Sequence, residues 1–455
     1  MIATMYLQEV SLILLQILFI YFFFSNSILG EKISNKIINT KYFTNLDLII
    51  INIIIFLNFL IFVSVLTINS TYFFYAYIIL ICLTLIKKLK KKIKINFSYK
   101  NVIILFIVFI LSLDLAYTLE FGWDVQWFWY LKALNFYQDQ TFLNLNKLPI
   151  NAYPHLGPYI WGFFWKFPFG NFEYLGRIVY IFFYIFAIFS FSEILKINNY
   201  LKFIFSLFIV LATYKYSLFN GDSDILIFIF LLFAAKFTYY LYQPEKKKNH
   251  PLIIFSLLGI SNILFWIKYE AMFFILFLIF SIIIYNKIIN KKNKLIIISF
   301  FFSFILLRIL ILELLSVSLI DPASFGIQDT IYFSFSEFYY RITQILFYIF
   351  SFLIQNPIFL LTLPLMIISI KCLNKNSLNK TILLFSFVFF SFTFFAYFFK
   401  VSEIEFQLRY SLGEFLFSVS GIYLLVFANF LNKYFLNDKI YEYINLFSLL
   451  INYAC

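Results

Sequence analysis

Between Leu48 and Leu66 the chain carries no charged residue, only two asparagines and a serine among aliphatic and aromatic side chains, and comparable runs recur along its length. A hydrocarbon core of ~30 Å is crossed by about 20 helical residues rising 1.5 Å each. In that core every backbone polar group must be bonded internally, which admits helices and excludes open strands and loops. Of the 455 residues, 63% are hydrophobic and 13% charged, whereas soluble domains are about a quarter charged. Lipid is therefore the solvent, and the expected fold is an all-α, polytopic membrane bundle.

Thirteen spans are predicted, at 9–29, 48–66, 72–86, 101–119, 174–193, 203–219, 224–242, 252–267, 271–288, 295–316, 345–370, 381–400 and 411–431. The eleventh is long and interrupted by Gln355-Asn356-Pro357. A last apolar stretch, 440–453, is too short to span and is expected to lie on the surface. The first run lacks a basic leader and a small-residue cleavage site, so it reads as a retained span. Most of the 35 Lys and Arg fall in alternate loops, such as Lys87-Lys88-Leu89-Lys90-Lys91-Lys92. The positive-inside rule then places the N-terminus outside and the C-terminus in the cytoplasm, and a bacterial cytoplasmic (inner) membrane is the expected location.

The net charge of +13 is thus an orientation signal, and no basic stripe beside a recognition element points to nucleic acid. Cys82, Cys372 and Cys455 are too scattered for a disulfide framework or a metal site, and His155 and His250 are the two histidines. No internal repeat supports an inverted-repeat transporter.

Two predicted outer loops are long, 120–173 and 317–344. The first holds Trp123, Trp127, Trp129, Trp161 and Trp165, and tryptophan favours the membrane interface. It is expected to lie along the leaflet as one or two amphipathic helices. On a helix over 124–138, Asp124, Lys132, Asn135 and Gln138 share one arc, a polar face turned towards water or a cavity.

Most carboxylates lie on the predicted outer side or within spans. Asp124, in Gly122-Trp123-Asp124, reads either as a helix N-cap or as a general base at the membrane surface. Asn220-Gly221-Asp222-Ser223-Asp224 reads as a tight turn with a cap, or as two carboxylates able to hold a divalent cation through oxygen. Lys268-Tyr269-Glu270 joins two spans with almost no loop. Its lysine either snorkels beside Glu270 or supplies a fixed cation for an anionic lipid headgroup. Arg409 has the same two readings. Arg308 lies inside a span, a functional position by default, with Glu313 as its expected partner. His155, in Tyr153-Pro154-His155-Leu156-Gly157, fits a structural role better than catalysis, although contact with substrate stays open.

The order of these motifs, Trp123-Asp124, then Tyr153-Pro154-His155-Leu156-Gly157, then Asn220-Gly221-Asp222-Ser223-Asp224, then Lys268-Tyr269-Glu270-Ala271, resembles the GT-C superfamily of membrane glycosyltransferases. That class contains protein mannosyltransferases and aminoarabinose transferases. The resemblance divides the chain into three additional N-terminal helices (1–100), a catalytic membrane core (101–290) and further helices (291–455). It implies inverting transfer of a sugar from a polyprenyl-phosphate carrier to a lipid or glycan acceptor at the outer face. Asp124 matches the family's base and Asp224 its second acidic residue. Lys268 and Glu270 match a basic–acidic pair, and Asp222, Lys132, His155 and Arg409 are further candidates for binding substrate. No cofactor is expected, and a divalent metal stays open. A polysaccharide polymerase or ligase, and a lipid or solute flippase, are the rival readings.

Overall fold

The computed structural model describes residues 2–25, 43–90, 99–148, 154–167, 172–214, 220–317, 335–370, 377–399 and 404–434. Helices α1 (Ile2–Ser25), α2 (Asn45–Val65), α3 (Ser70–Lys90) and α4 (Tyr99–Thr118) come first. A folded connection follows, with a π-helical turn (Val125–Trp129), α5 (Tyr130–Tyr137), a 3-10 turn (Phe142–Lys147) and α6 (Leu156–Trp165). Next are α7 (Tyr174–Ser192), α8 (Asn199–Tyr214), α9 (Asp224–Leu241), α10 (His250–Ile267), α11 (Tyr269–Tyr285) and α12 (Lys291–Leu314). The last group is α13 (Phe335–Gln355), α14 (Pro357–Ile370), α15 (Ser377–Phe398), α16 (Ile404–Tyr410) and α17 (Leu412–Tyr434). No strand occurs among the described residues.

Nine described helices are long and apolar enough to cross a membrane, or ten if one bent pair is a single span. Three shorter apolar helices, Ser70–Ile86, Asn199–Tyr214 and Tyr269–Tyr285, coincide with the remaining predicted spans. The fold is that of an all-α membrane protein. The predicted surface stretch 440–453 lies outside the described residues.

Two helices form the centre. Every residue of α7 and of α9 is buried. Both are mostly apolar on every side, as a helix enclosed by other helices must be, and their buried charges, Arg177 on α7 and Asp224 and Lys236 on α9, are each paired. Around them, α9 packs on α10 and α17, while α7 packs on α1, α4, α6 and α8. The N-terminal helices are part of this bundle: α2 lies against α10, and Gln16 on α1 donates to the carbonyls of Phe164 and Leu175 at 2.8 and 3.1 Å.

The connection 120–173 corrects the sequence reading. Its last helix, α6, is buried at every position instead of lying along the leaflet. Close to the expected helix 124–138, the π-helical turn runs directly into α5. Its polar arc is turned inward, however, with Lys132 fully buried and Asn135 nearly so. Gln138 of the same arc stays exposed, as do Gln126 and the two tryptophans Trp123 and Trp127, at 70% and 57%. The packing of α5 on α6 and of α6 on α7 decides which face points in, and a helical wheel carries no information about that.

The predicted span 345–370 is also different. Its helix begins at Phe335 and breaks at Asn356, where α13 and α14 meet at 100°. The Asn356 side chain accepts from the backbone N–H of Ile358 and Phe359 at 2.9 and 3.4 Å, capping α14, and Pro357 takes its first position, where no donor is needed. Helix α13 buries a stripe, Arg341, Ile345, Ile349 and Leu353. Arg341 donates to the carbonyl of Phe398 at the end of α15, and Phe352 faces Gly413 at the start of α17.

At the opposite, lysine-rich end, Asp47 of α2 and Lys236 of α9 form an ion pair with both side chains wholly buried. Asp47 also accepts from Tyr240 and closes a capping box with Thr44, while Lys236 donates to Ser190. Removing one partner of such a pair leaves an uncompensated buried charge, at about 3–5 kcal/mol. Lys236→Met is therefore expected to lower the unfolding temperature of the purified protein sharply. Asp47→Asn in the same chain recovers much of the loss; equal stability of the single and double variants would contradict the pairing.

Candidate functional site

Three chain breaks converge at the end of the bundle opposite the lysine runs. The first is the start of the π-helical turn at Asp124. The second is the turn 220–223 before α9. The third is the break between α10 and α11, where Lys268 adopts an extended conformation, φ −157° and ψ 154°. The first two are latched together: the backbone N–H of Gly122 donates to the carbonyl of Asn220 at 3.3 Å. A Cβ on Gly122 would stand 2.8 Å from the Asn220 amide nitrogen, so glycine is what permits the approach. Gly221 adopts φ +95°, the left-handed region glycine enters freely.

Arg177 secures the same region from below. It is fully buried, pairs with Glu173 and donates to the Glu120 carbonyl at 3.0 Å. Its guanidinium lies over the rings of Phe121 and Trp161. Both ends of the connection 120–173 are thereby tied to α7.

On this frame, Lys268 Nζ donates to both carboxylate oxygens of Asp224, at 3.0 and 2.9 Å. Asp224 is buried and occupies the first turn of α9. Asp222 receives the Ser223 N–H at 2.6 Å and is hydrogen-bonded to Asp224 through its side chain. Burial, and next the charge of Asp224, push the Asp222 carboxyl up to about 7. Asp124 sits within electrostatic reach of both Lys268 and Asp224. Its carboxylate makes no capping hydrogen bond, which removes the cap as its reason for being there. Burial raises its pKa; Lys268 opposes that rise and Asp224 adds to it. Lys268 itself loses solvation, but Asp224, Glu270 and Asp222 outweigh that cost and hold it charged well above the usual lysine range.

Glu414, in the first turn of α17, is a member that the sequence reading missed. It reaches Asp222, Asp224, Lys268 and Asp124 electrostatically, and Asp222, Asp224 and Glu414 each offer an oxygen within 4.8 Å of the others. Three hard oxygen donors of this kind suit magnesium, manganese or calcium, not a thiolate- or imidazole-seeking ion. The available signal was an acid in the first turn of an apolar helix, the pattern Asp224 also shows. Glu270 stands beside Lys268, with its buried Oε2 making no hydrogen bond.

Other predicted residues lie elsewhere. Arg409 is exposed on α16 and makes no ion pair among the described residues. Glu313 is exposed and does not meet Arg308. Arg308 lies instead over the rings of Trp266 and Tyr269, 5.5 and 5.1 Å from their centroids. His155 is buried, bonds Ser64 at 3.1 Å and packs edge-on against Phe142 and Trp266. Burial holds its pKa well below the usual value, and Lys132 and Arg308 add to the effect. Lys132 lies over the Trp129 ring, and burial brings its pKa down to about 7. Cations and acids are thus sorted into two neighbouring groups.

The latch is open to a direct check. A Cβ on Gly221 would approach Val125 Cγ1 to 2.8 Å, in addition to ~1–3 kcal/mol of backbone strain. Gly221→Ala is expected to lower the unfolding temperature, whereas Gly413→Ala, whose Cβ would meet Phe352 at an ordinary 3.4 Å, is expected to leave it nearly unchanged. Equal tolerance of both would show that the turn is not held against the 122–125 segment. No family model matches this chain, and no curated protein or solved structure is detectably similar to it.

Proposed function

We propose that the chain is a membrane glycosyltransferase of the GT-C kind, transferring a sugar from a polyprenyl-phosphate carrier to a hydroxyl on a lipid or glycan. The reading places the reaction at the extracytoplasmic face of a bacterial cytoplasmic membrane. The observation that carries it is Asp124: a half-buried carboxylate with no capping bond, beside an acid pair neutralised by a single lysine.

In this reading the acceptor oxygen attacks the anomeric carbon as the bond to the phosphate oxygen breaks. The carrier leaves as a phosphate monoester, and Asp124 takes the hydroxyl proton. One displacement inverts the anomeric centre. Lys268 holds the Asp224 side chain in place through both of its oxygens, and the acids gathered here favour oxocarbenium character at the sugar carbon. Burial raises the pKa of Asp222, which favours a role as a donor to a sugar or acceptor hydroxyl. If a divalent cation takes part, Asp222, Asp224 and Glu414 would hold it.

Comparison of envelope lipids and glycans from cells with and without this chain is expected to show one component lacking one sugar. With that substrate pair in hand, Asp124→Asn is expected to cut transfer by about 10²–10⁴, the usual contribution of a positioned base. Full activity in that variant would remove Asp124 from the mechanism.

The pH profile supplies a second test. A base must be unprotonated, so activity rises with pH through its pKa. Because burial raises the pKa of Asp124, the acid limb is expected at a higher pH than for a solvated aspartate. Lys268 lowers that pKa, so Lys268→Gln should move the limb still higher. A limb that stays in place in the variant would show that the titrating group is not near Lys268.

A further inference from the structure

Helix α13 presents a different chemistry on each of its sides. Its buried stripe, Arg341, Ile345, Ile349 and Leu353, covers an arc of about 120° at 100° per residue. Beside the stripe, Tyr339, Phe347, Phe350 and Ile354, each more than half exposed, share a second arc of about 80°. The remaining edge, about 40° wide, carries Glu337, Gln344, Ser351 and Gln355 from one end of the helix to the other. Tyr340 and Tyr348 border that edge on either side.

A helix surrounded by hydrocarbon gains nothing from a polar edge along its full length, because those groups would lose water without replacing it. A helix in water would not expose four large apolar side chains on one side. A helix lying in a membrane interface meets both conditions, with one side on protein, one in acyl chains and one in water.

The contacts of α13 give it that direction. Arg341 donates to the Phe398 carbonyl at 3.2 Å, and the Phe338 ring stands 5.3 Å from the Phe398 ring; Phe398 is the last residue of α15. Tyr340 bonds Glu405 on α16. About 16 Å further along, at the 1.5 Å rise of a helix, Phe352 meets Gly413, the second residue of α17. Both contacts are with helix ends, so α13 crosses over its neighbours instead of running beside them. After the 100° bend, α14 turns down along α17, where the Phe359 ring lies 4.9 Å from that of Tyr423. Exposed phenylalanines adjoin these contacts, Phe399 after Phe398 and Phe406 after Glu405, so the apolar side of α13 belongs to a wider apolar surface.

We infer that α13 is an interfacial helix docked on the membrane leaflet at the candidate-site end, with Tyr339, Phe347, Phe350 and Ile354 among the acyl chains of zwitterionic phospholipid. Arg341 is the one cation of α13, and it is buried and paired with Glu337. The helix therefore binds by apolar insertion and does not select anionic headgroups. Gly413 precedes Glu414, so the docked helix also fixes the depth of the candidate site. The carboxylates stand at the boundary between lipid and water, not within the hydrocarbon.

The test places one nitroxide label at a time, by Phe347→Cys, Phe350→Cys, Gln344→Cys or Ser351→Cys, in the full chain with Cys82, Cys372 and Cys455 changed to serine. The chain is held in phosphatidylcholine nanodiscs. Power saturation compares collisions with oxygen, which concentrates in acyl chains, and with a water-soluble nickel chelate. Oxygen is expected to dominate at 347 and 350 and the nickel chelate at 344 and 351, although the paired positions lie within one helical turn. The same inversion is expected in phosphatidylglycerol. Tyr339→Cys and Gln355→Cys carry the same expectations for the apolar and polar sides should one of the first variants not fold. Oxygen dominance at all four positions would show a spanning helix and overturn the inference. Few collisions with either reagent at 347 and 350 would show that a second copy or the segment 318–334 covers that side, and would overturn it as well. An inversion confined to phosphatidylglycerol would overturn apolar insertion in favour of headgroup recognition. Each of these results leaves the proposed function standing, since that rests on Asp124.

Discussion

The contact between Lys268 Nζ and the two oxygens of Asp224 is what the arrangement at this end of the bundle depends on. It joins the break between α10 and α11 to the first turn of α9, the central helix, so the acid is set by the core and not by a free loop. Without the lysine, Asp222, Asp224, Glu414 and Asp124 would be like charges facing one another with little water between them, a state that resolves by taking up protons or by moving apart. With it, one fixed positive charge offsets the acids around it, and Asp124 is left without a capping bond.

Much of this was legible in the sequence, and what was not failed for identifiable reasons. The apolar runs marked nearly every helix, because in lipid the length of a run is itself the signal. Asp124, Asp224 and Lys268 were legible as a group because each sits at a break between apolar runs on the same predicted side. Asn356-Pro357 marked a real discontinuity, although its 100° angle depends on what α13 packs against. The burial of α6 was not legible, since tryptophan and phenylalanine suit a membrane interface and a protein core equally well. Nor was the inward turn of Lys132 and Asn135, because a wheel defines an arc and not its direction. Glu414 was absorbed into a run read as a span. The pairing of Arg308 with Glu313 was avoidable: residues five apart on a helix point roughly 140° from each other.

Near the candidate site the charges are unevenly distributed, whereas elsewhere they pair, as Lys236 does with Asp47 and Arg177 with Glu173. Acids gather around Lys268, while Arg308 lies over the rings of Trp266 and Tyr269, His155 packs on Trp266 and Lys132 lies over Trp129. Aromatic faces separate the two groups and also offer the cations a weak counter-charge. A substrate that is anionic at one end and neutral at the other can be held across such a divide in one orientation.

The buried pair of Asp47 and Lys236 also bears on how the chain is made. Alone in hydrocarbon, a lysine two-thirds of the way along α9 would count heavily against the insertion of that helix. Asp47 is synthesised long before Lys236, at the start of α2, and waits there within its capping box with Thr44. The early helices thus carry the acid against which the buried lysine of α9 is paired, and a chain shortened there would leave Lys236 in the core without its counter-charge.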